Sequence, residues 1–160
     1  MNTALMSKQR SDTTYRAPGR ITRHLMNPLV AGLTRLGLPL AGSAVLGVRG
    51  RVSGEVRTVP VNPLAHEGTR YLVAARGETQ WVRNLRVAGE AELRVGRRTE
   101  RVAAAEVTDP AVAVPVLRAY LRRWAWEVGA FFDGVGADDP DAELAAAAYR
   151  HPVFVLRPAV

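Results

Sequence analysis

The stretch Gly50-Arg51-Val52-Ser53-Gly54-Glu55-Val56-Arg57-Thr58-Val59-Pro60-Val61 passes from a polar loop straight into a β-branched run. Its glycines let backbone N–H groups approach an anion closely, and its arginines can fork around phosphate or carboxylate oxygens. A strand starting at Thr58 would carry the loop on a rigid element, the usual way of holding a phosphorylated ligand. The same composition also makes an ordinary turn. The rest of the chain has to decide between a cradle and a corner.

Outward from that loop, strands dominate. Ser43–Val48 reads as the strand before it and Thr58–Ala65 as the strand after it, with Pro60 and Pro63 marking an edge or bulged course. A turn at His66–Thr69 leads into a third strand, Arg70–Ala75. Ala91–Val95 alternates as a half-buried strand, turns at Gly96-Arg97-Arg98 and pairs back through Thr99–Val107; Val153–Leu156 closes the chain. Between them, Gln80–Val87 reads as a short helix carrying Trp81, Val82 and Leu85 on one side. Asp109-Pro110 sets a capping carboxylate before an N1 proline and opens a helix to about Gly129; Asp139-Pro140 repeats the signal for one ending near Tyr149. Five or six strands with short hairpins and peripheral helices argue an α+β, barrel-like domain.

Upstream, residues 1–18 lack periodicity and read as a flexible arm, leaving 19–160 as one domain. From residue 20 to 36, Ile21, Leu25, Leu29, Leu33 and Leu36 fall at helical spacing, with Arg20, Arg23, His24 and Arg35 on the other faces and Pro28 inside. Such a stripe packs on a core or rests on an anionic membrane. Residues 1–20 hold no apolar signal core, and the uncharged run Leu36–Val48 is broken by Gly and Pro, so a cytoplasmic location, with peripheral membrane contact through residues 20–36, is the expectation.

The 22 Lys+Arg against 15 Asp+Glu give a net charge of +7, which draws polyanions. All the basic residues but Lys8 are arginine, a bias that a GC-rich genome also produces. Cysteine is absent, which removes disulfides, thiolate metal sites and Cys nucleophiles. His24, His66 and His151 stand apart without a carboxylate pattern, so no metal centre is expected. Ser43 and Ser53 lack triad partners, and no Walker A or dinucleotide fingerprint is present. If the chain is an enzyme, a cofactor supplies the reactivity.

A second segment bears on this: Ala74-Ala75-Arg76-Gly77-Glu78-Thr79-Gln80-Trp81-Val82-Arg83-Asn84-Leu85. It sets Arg76 and Gly77 at a strand exit and Trp81, Arg83 and Asn84 on the next helix, where an aromatic, a cation and an amide can enclose a flat anion. Trp81 and Leu85, at i and i+4, also suit a core.

Taken in register, Gly50-Arg51-x-Ser53-Gly54-x-x-Arg57-x-x-Pro60, the Ala-Arg-Gly strand exit and Trp81-x-x-Asn84-Leu85 resemble the deazaflavin-dependent nitroreductase family, as does the ending His151-Pro152-Val153-Phe154. The resemblance runs from about residue 20 to 158. It implies a split β-barrel of about six strands, related to FMN-binding split barrels, with peripheral helices. It implies coenzyme F420, a 5-deazaflavin with a phosphate and an oligoglutamate tail. The implied activity is hydride transfer from the reduced deazaflavin to a small electron acceptor such as a quinone, an enone or a nitroaromatic.

Carried over by position, Arg51, Ser53, Gly54 and Arg57 would hold the phosphate and acidic tail, and Val59, Pro60 and Val61 would line the ring. Ala75, Arg76 and Gly77 match the strand exit facing ring and phosphate, and Trp81 and Asn84 the helix closing the pocket. No catalytic residue is assigned. Val52 stands where many members have Lys, and Arg76 replaces a frequent Lys. Asn62 and Val82 replace aromatics near the acceptor. Tyr120, Trp124, Trp126 and Tyr149 are the aromatics that could serve there instead. A homodimer follows by analogy alone.

The alternative cofactor is FMN, bound for reduction or only carried. FMN has one phosphate and no glutamates, so it asks for fewer arginines. A basic nucleic-acid- or membrane-binding module is the third reading, but no recognition helix or base-stacking motif supports nucleic acid.

Overall fold

The computed structural model describes residues 44–160. Its elements are β1 (Ala44–Arg49), β2 (Val56–Val61), β3 (Leu64–His66), β4 (Thr69–Val73), α1 (Gln80–Ala88), β5 (Glu90–Val95), β6 (Arg98–Glu106), α2 (Pro110–Val128), α3 (Asp141–Arg150) and β7 (Val153–Pro158), with a 3₁₀ turn at Gly129–Phe131. The arm expected at 1–18, the helix expected at 20–36 and Ser43 lie outside the described residues.

The strands form one seven-stranded sheet in the order β2-β1-β5-β6-β7-β4-β3, with every neighbour antiparallel. The architecture is the α+β split barrel, with seven strands rather than six. The extra strand arises because the expected strand Thr58–Ala65 breaks at Asn62-Pro63 into β2 and β3. Pro63 has no N–H for a ladder, and the Asn62 side chain turns to Glu127, donating at 3.2 Å. β2 starts earlier than expected, at Val56, where it pairs with Arg49. It lies at the sheet edge, as Pro60 requires. At the β5–β6 hairpin the turn is only Gly96-Arg97, and Arg98 already pairs with Val95.

Strand alternation builds two cores. Along β4 and β7, Tyr71, Val73 and Val153 face one side and meet Leu117, Leu121, Trp124, Phe132 and Leu144 from α2, the following loop and α3. Leu72, Phe154 and Leu156 face the other side and meet Leu46, Val48 and Leu93 of the sheet and Val82 and Leu85 of α1. Trp124 is 2% exposed and Phe132 fully buried, each contributing roughly 2–3 kcal/mol of burial.

Asp109 caps α2 as its sequence suggests, Oδ1 accepting from the Ala111 N–H at 2.9 Å. Asp139 does not cap α3: Pro140 is the N-cap, and Asp139 Oδ2 accepts from the Gly136 N–H at 2.8 Å within the preceding loop. Proline at the cap pushes Asp139 one step outside the helix. Arg118 secures that loop from α2, donating to the carbonyls of Ala137 and Asp139 and to Asp141 Oδ1 at 2.6 Å. Among the described residues no helix is long and apolar enough to cross a membrane.

Candidate functional site

The β1–β2 connection folds back on itself. The Gly50 N–H donates to the Glu55 carbonyl at 2.8 Å and the Gly54 N–H to the Gly50 carbonyl at 2.9 Å. Ser53 Oγ accepts from the Glu55 N–H at 3.3 Å, and Arg49 Nη1 donates to the Gly54 carbonyl at 2.8 Å. Gly54, at φ +72°, holds the left-handed conformation that favours glycine, and a Cβ on Gly50 would sit 2.7 Å from Ser53 Oγ, so that side chain would have to turn. The stretch is thus a tight loop on a two-strand support.

The loop leans on α1. The Arg51 N–H donates to Asn84 Oδ1 at 3.2 Å, and Arg51 Nη1 donates to the same oxygen at 2.8 Å and to Gln80 Oε1 at 2.9 Å. Gln80 and Asn84 are one turn apart, so one face of α1 receives one arginine. Asn84 is 7% exposed, a buried amide whose oxygen is fully used. Arg57, by contrast, is exposed, and its Nη2 only grazes Glu55 Oε2 at 3.5 Å. Arg51 and Arg57, alike in the sequence, therefore differ in availability.

The N-terminus of α1 adds to the positive field. No acidic residue lies in its first turn, and the N-cap Thr79 makes no side-chain cap, leaving its buried Oγ1 without a partner. Helix α1 is held from its other end by Arg86. Its guanidinium pairs with Glu78 before the helix and with Glu106 at the end of β6, with second contacts at 2.8 Å to each. These two carboxylates raise the Arg86 pKa still further.

Val59 and Val61 of β2 and Trp81 of α1 all sit half-buried at the margin of one core cluster, and the Trp81 ring lies 5.9 Å from that of Phe154. The structure thus brings the expected ring-lining valines, Trp81, Asn84 and the β1–β2 loop to one side of the sheet, with Arg57 in β2 rather than in the loop. Pro60, between the valines, is also half-buried. Ala75 and Arg76 depart from that grouping. Ala75 packs at the margin of the other cluster, and the Arg76 guanidinium stacks 4.7 Å over the Phe131 ring. Gly77 is buried at the turn, its N–H donating to the Ala74 carbonyl at 2.8 Å.

His151 closes the strand exit from behind. The Ala74 N–H donates to the Pro152 carbonyl at 2.8 Å, and the His151 ring, 1% exposed, stacks on Phe132 at 4.2 Å. Neither ring nitrogen has a well-aligned partner. Burial holds the imidazole pKa below its ordinary 6.5, despite the Ala74 and Ala75 backbone and Asp133 favouring the proton. Of the four candidate aromatics, Tyr120 and Trp124 are buried and Trp126 and Tyr149 exposed. Burial pushes the Tyr120 hydroxyl well above the usual phenol range, with Glu127 adding to that and a hydrogen bond with Asn62 opposing it.

A groove of about 680 Å³ lies elsewhere, between α2 and α3 and lined also by His66. None of the loop, β2 or α1 residues reaches it. Among the described residues no group of three His, Asp or Glu lies together as a metal site. The residues that sequence reasoning left out of the site are Gln80 and Arg86. The i, i+4 spacing of Gln80 and Asn84 was the available signal for the first.

Residues 20–125 match the family model of F420H(2)-dependent quinone reductase. A search of curated proteins finds no match. Among solved structures, the chain is similar to an F420-H2 dependent reductase, FDR-A, at 20% identity over 72% of this chain and 94% of that one, TM-score 0.45. It is similar also to a candidate 5-nitroimidazole antibiotic resistance protein from Bacteroides thetaiotaomicron, at 12% identity over 74% of each chain, TM-score 0.50. The second likeness bears on the fold alone.

Proposed function

The chain belongs to the F420H(2)-dependent quinone reductase family, and from that premise we propose that it is a reductase that takes a hydride from reduced F420 and passes it to a small organic acceptor such as a quinone, an enone or a nitroaromatic. The observation that carries the reading is the adjacency of two surfaces. Arg51 of the loop, Arg57 at the start of β2 and the uncapped N-terminus of α1 form a cationic rim; Val59, Val61 and Trp81 form a half-buried apolar margin beside it. A flat ring carrying a phosphate and several carboxylates asks for that pair of surfaces.

On this reading Arg57, Ser53 and Gly54 meet the phosphate and tail with Arg51 behind them, and Val59, Pro60, Val61 and Trp81 flank the ring. Gly77, at the turn before α1, bounds its far side, whereas Ala75 and Arg76, packed at the other core cluster, fall outside this arrangement. When bound, the reduced deazaflavin supplies the hydride; the acceptor also takes a proton, for which no side chain is assigned. The protein's part is to bind, orient and exclude water, which suffices when the donor carries the chemistry. FMN, with a single phosphate and no glutamates, brings less negative charge to this rim and is the weaker fit.

The sheet edges β2 and β3, unpaired among the described residues, suit assembly as a homodimer, and residues 20–36 suit contact with an anionic membrane from a cytoplasmic location. The test is turnover: purified protein mixed with reduced F420 and menadione should restore the absorbance of oxidised F420. No oxidation above the protein-free rate, with a nitroaromatic and an enone also inert, would reject the proposal.

A further inference from the structure

We infer that Asn84 is a positioning residue rather than a ligand contact: its buried side-chain oxygen latches Arg51, and with it the β1–β2 loop, into the shape that receives the acidic tail. This rests on the F420 reading above and sharpens it. An amide oxygen has two lone pairs. Both are taken by Arg51, one by its backbone N–H at 3.2 Å and one by Nη1 at 2.8 Å. The residue itself is only 7% exposed. Gln80 Oε1 takes the same Nη1 at 2.9 Å, so the guanidinium lies along α1 across sequence separations of 29 and 33 residues.

The loop's other bonds, Gly50 to Glu55, Gly54 to Gly50, Glu55 to Ser53 Oγ and Arg49 to the Gly54 carbonyl, all stay within β1, β2 and the loop itself. Arg51 is the residue through which the loop is tied to α1, and Asn84 is the buried end of that tie. Arg57, exposed and loosely paired, is then the cation left for the anion itself.

The test uses the full chain, its variants Asn84→Leu and Asn84→Asp, and two ligands: F420 and the deazaflavin core without phosphate or glutamates. In Asn84→Leu the Arg51 amide should exchange hydrogen about tenfold faster, while β4 and β7 amides keep their wild-type rates. Asn84→Asp retains the acceptor and should keep the slow rate. The Kd for F420 should rise about tenfold in Asn84→Leu, the worth of one charge-assisted hydrogen bond, with the Kd for the core unchanged. Adding Arg51→Ala should weaken F420 no further, because the two residues act as one unit. Unchanged Arg51 exchange in Asn84→Leu, fast exchange in Asn84→Asp, or equal losses for both ligands would overturn the inference. If the wild type binds no F420 at all, the functional reading fails, and hydrogen exchange alone still decides whether the latch exists.

Discussion

His151 carries a consequence for stability that can be worked out from its surroundings. Its imidazole is buried against Phe132 with Arg150 and Asp133 as the charged groups nearby, and its folded pKa lies below the ordinary 6.5. The unfolded chain therefore binds a proton that the folded chain refuses once the pH falls below about 6.5. Stability is full above that value and declines as the pH drops, by at most about 1.4 kcal/mol per pH unit for one proton. Melting curves between pH 7.5 and 5.5 should show the decline, and His151→Gln should flatten it; an unchanged slope in the variant would rule out His151 as its source. At this scale the sequence was only partly legible. The glycines at 50 and 54 announced the tight loop, and Asp109 announced its cap. The difference between Arg51 and Arg57 was invisible, because it depends on Gln80 and Asn84 arriving from another element.

Helix α1 is the element on which the proposed site depends most. It presents Trp81 to the ring margin and Gln80 and Asn84 to the loop, and Arg86 ties its last turn to Glu78 and Glu106. Replacing Arg86 with Ala should cost about 1 kcal/mol, since the pairs are half-exposed but share one guanidinium across two carboxylates. Urea unfolding measures this; a midpoint equal to wild type would mean that the network contributes nothing. Helix positions were readable because the apolar spacing and capping residues are local signals. The break at Asn62-Pro63 was misread as continuous strand, since Pro63 alone does not reveal that Asn62 would reach Glu127 on α2. Pro140 displaced Asp139 from its expected cap for a similar reason: both residues fit a helix start, and only the loop bonding to Gly136 decides between them.

Across the whole molecule the positive charge is unevenly spread. Lys8, Arg10, Arg16, Arg20, Arg23 and Arg35 precede β1, opposed there only by Asp12, so most of the net +7 sits before residue 44. If that segment mediates membrane contact, deleting residues 1–36 should abolish co-sedimentation with anionic vesicles, and raised salt should do the same to the full chain. Pelleting that survives the deletion would remove the segment from that role. The α+β character was readable from alternation and hairpin spacing, whereas the strand order was not, because β1 neighbours β5 and β4 neighbours β7 through long-range pairing. The central claim is that one side of this sheet receives F420 by its acidic tail and its ring together. A fluorescence titration of the wild type and Arg57→Ala with F420 and FMN side by side tests it most directly. The wild type should bind F420 at micromolar concentration or below and more tightly than FMN, and Arg57→Ala should lose about tenfold for F420 with little change in stability. FMN binding under conditions where F420 does not bind would contradict it.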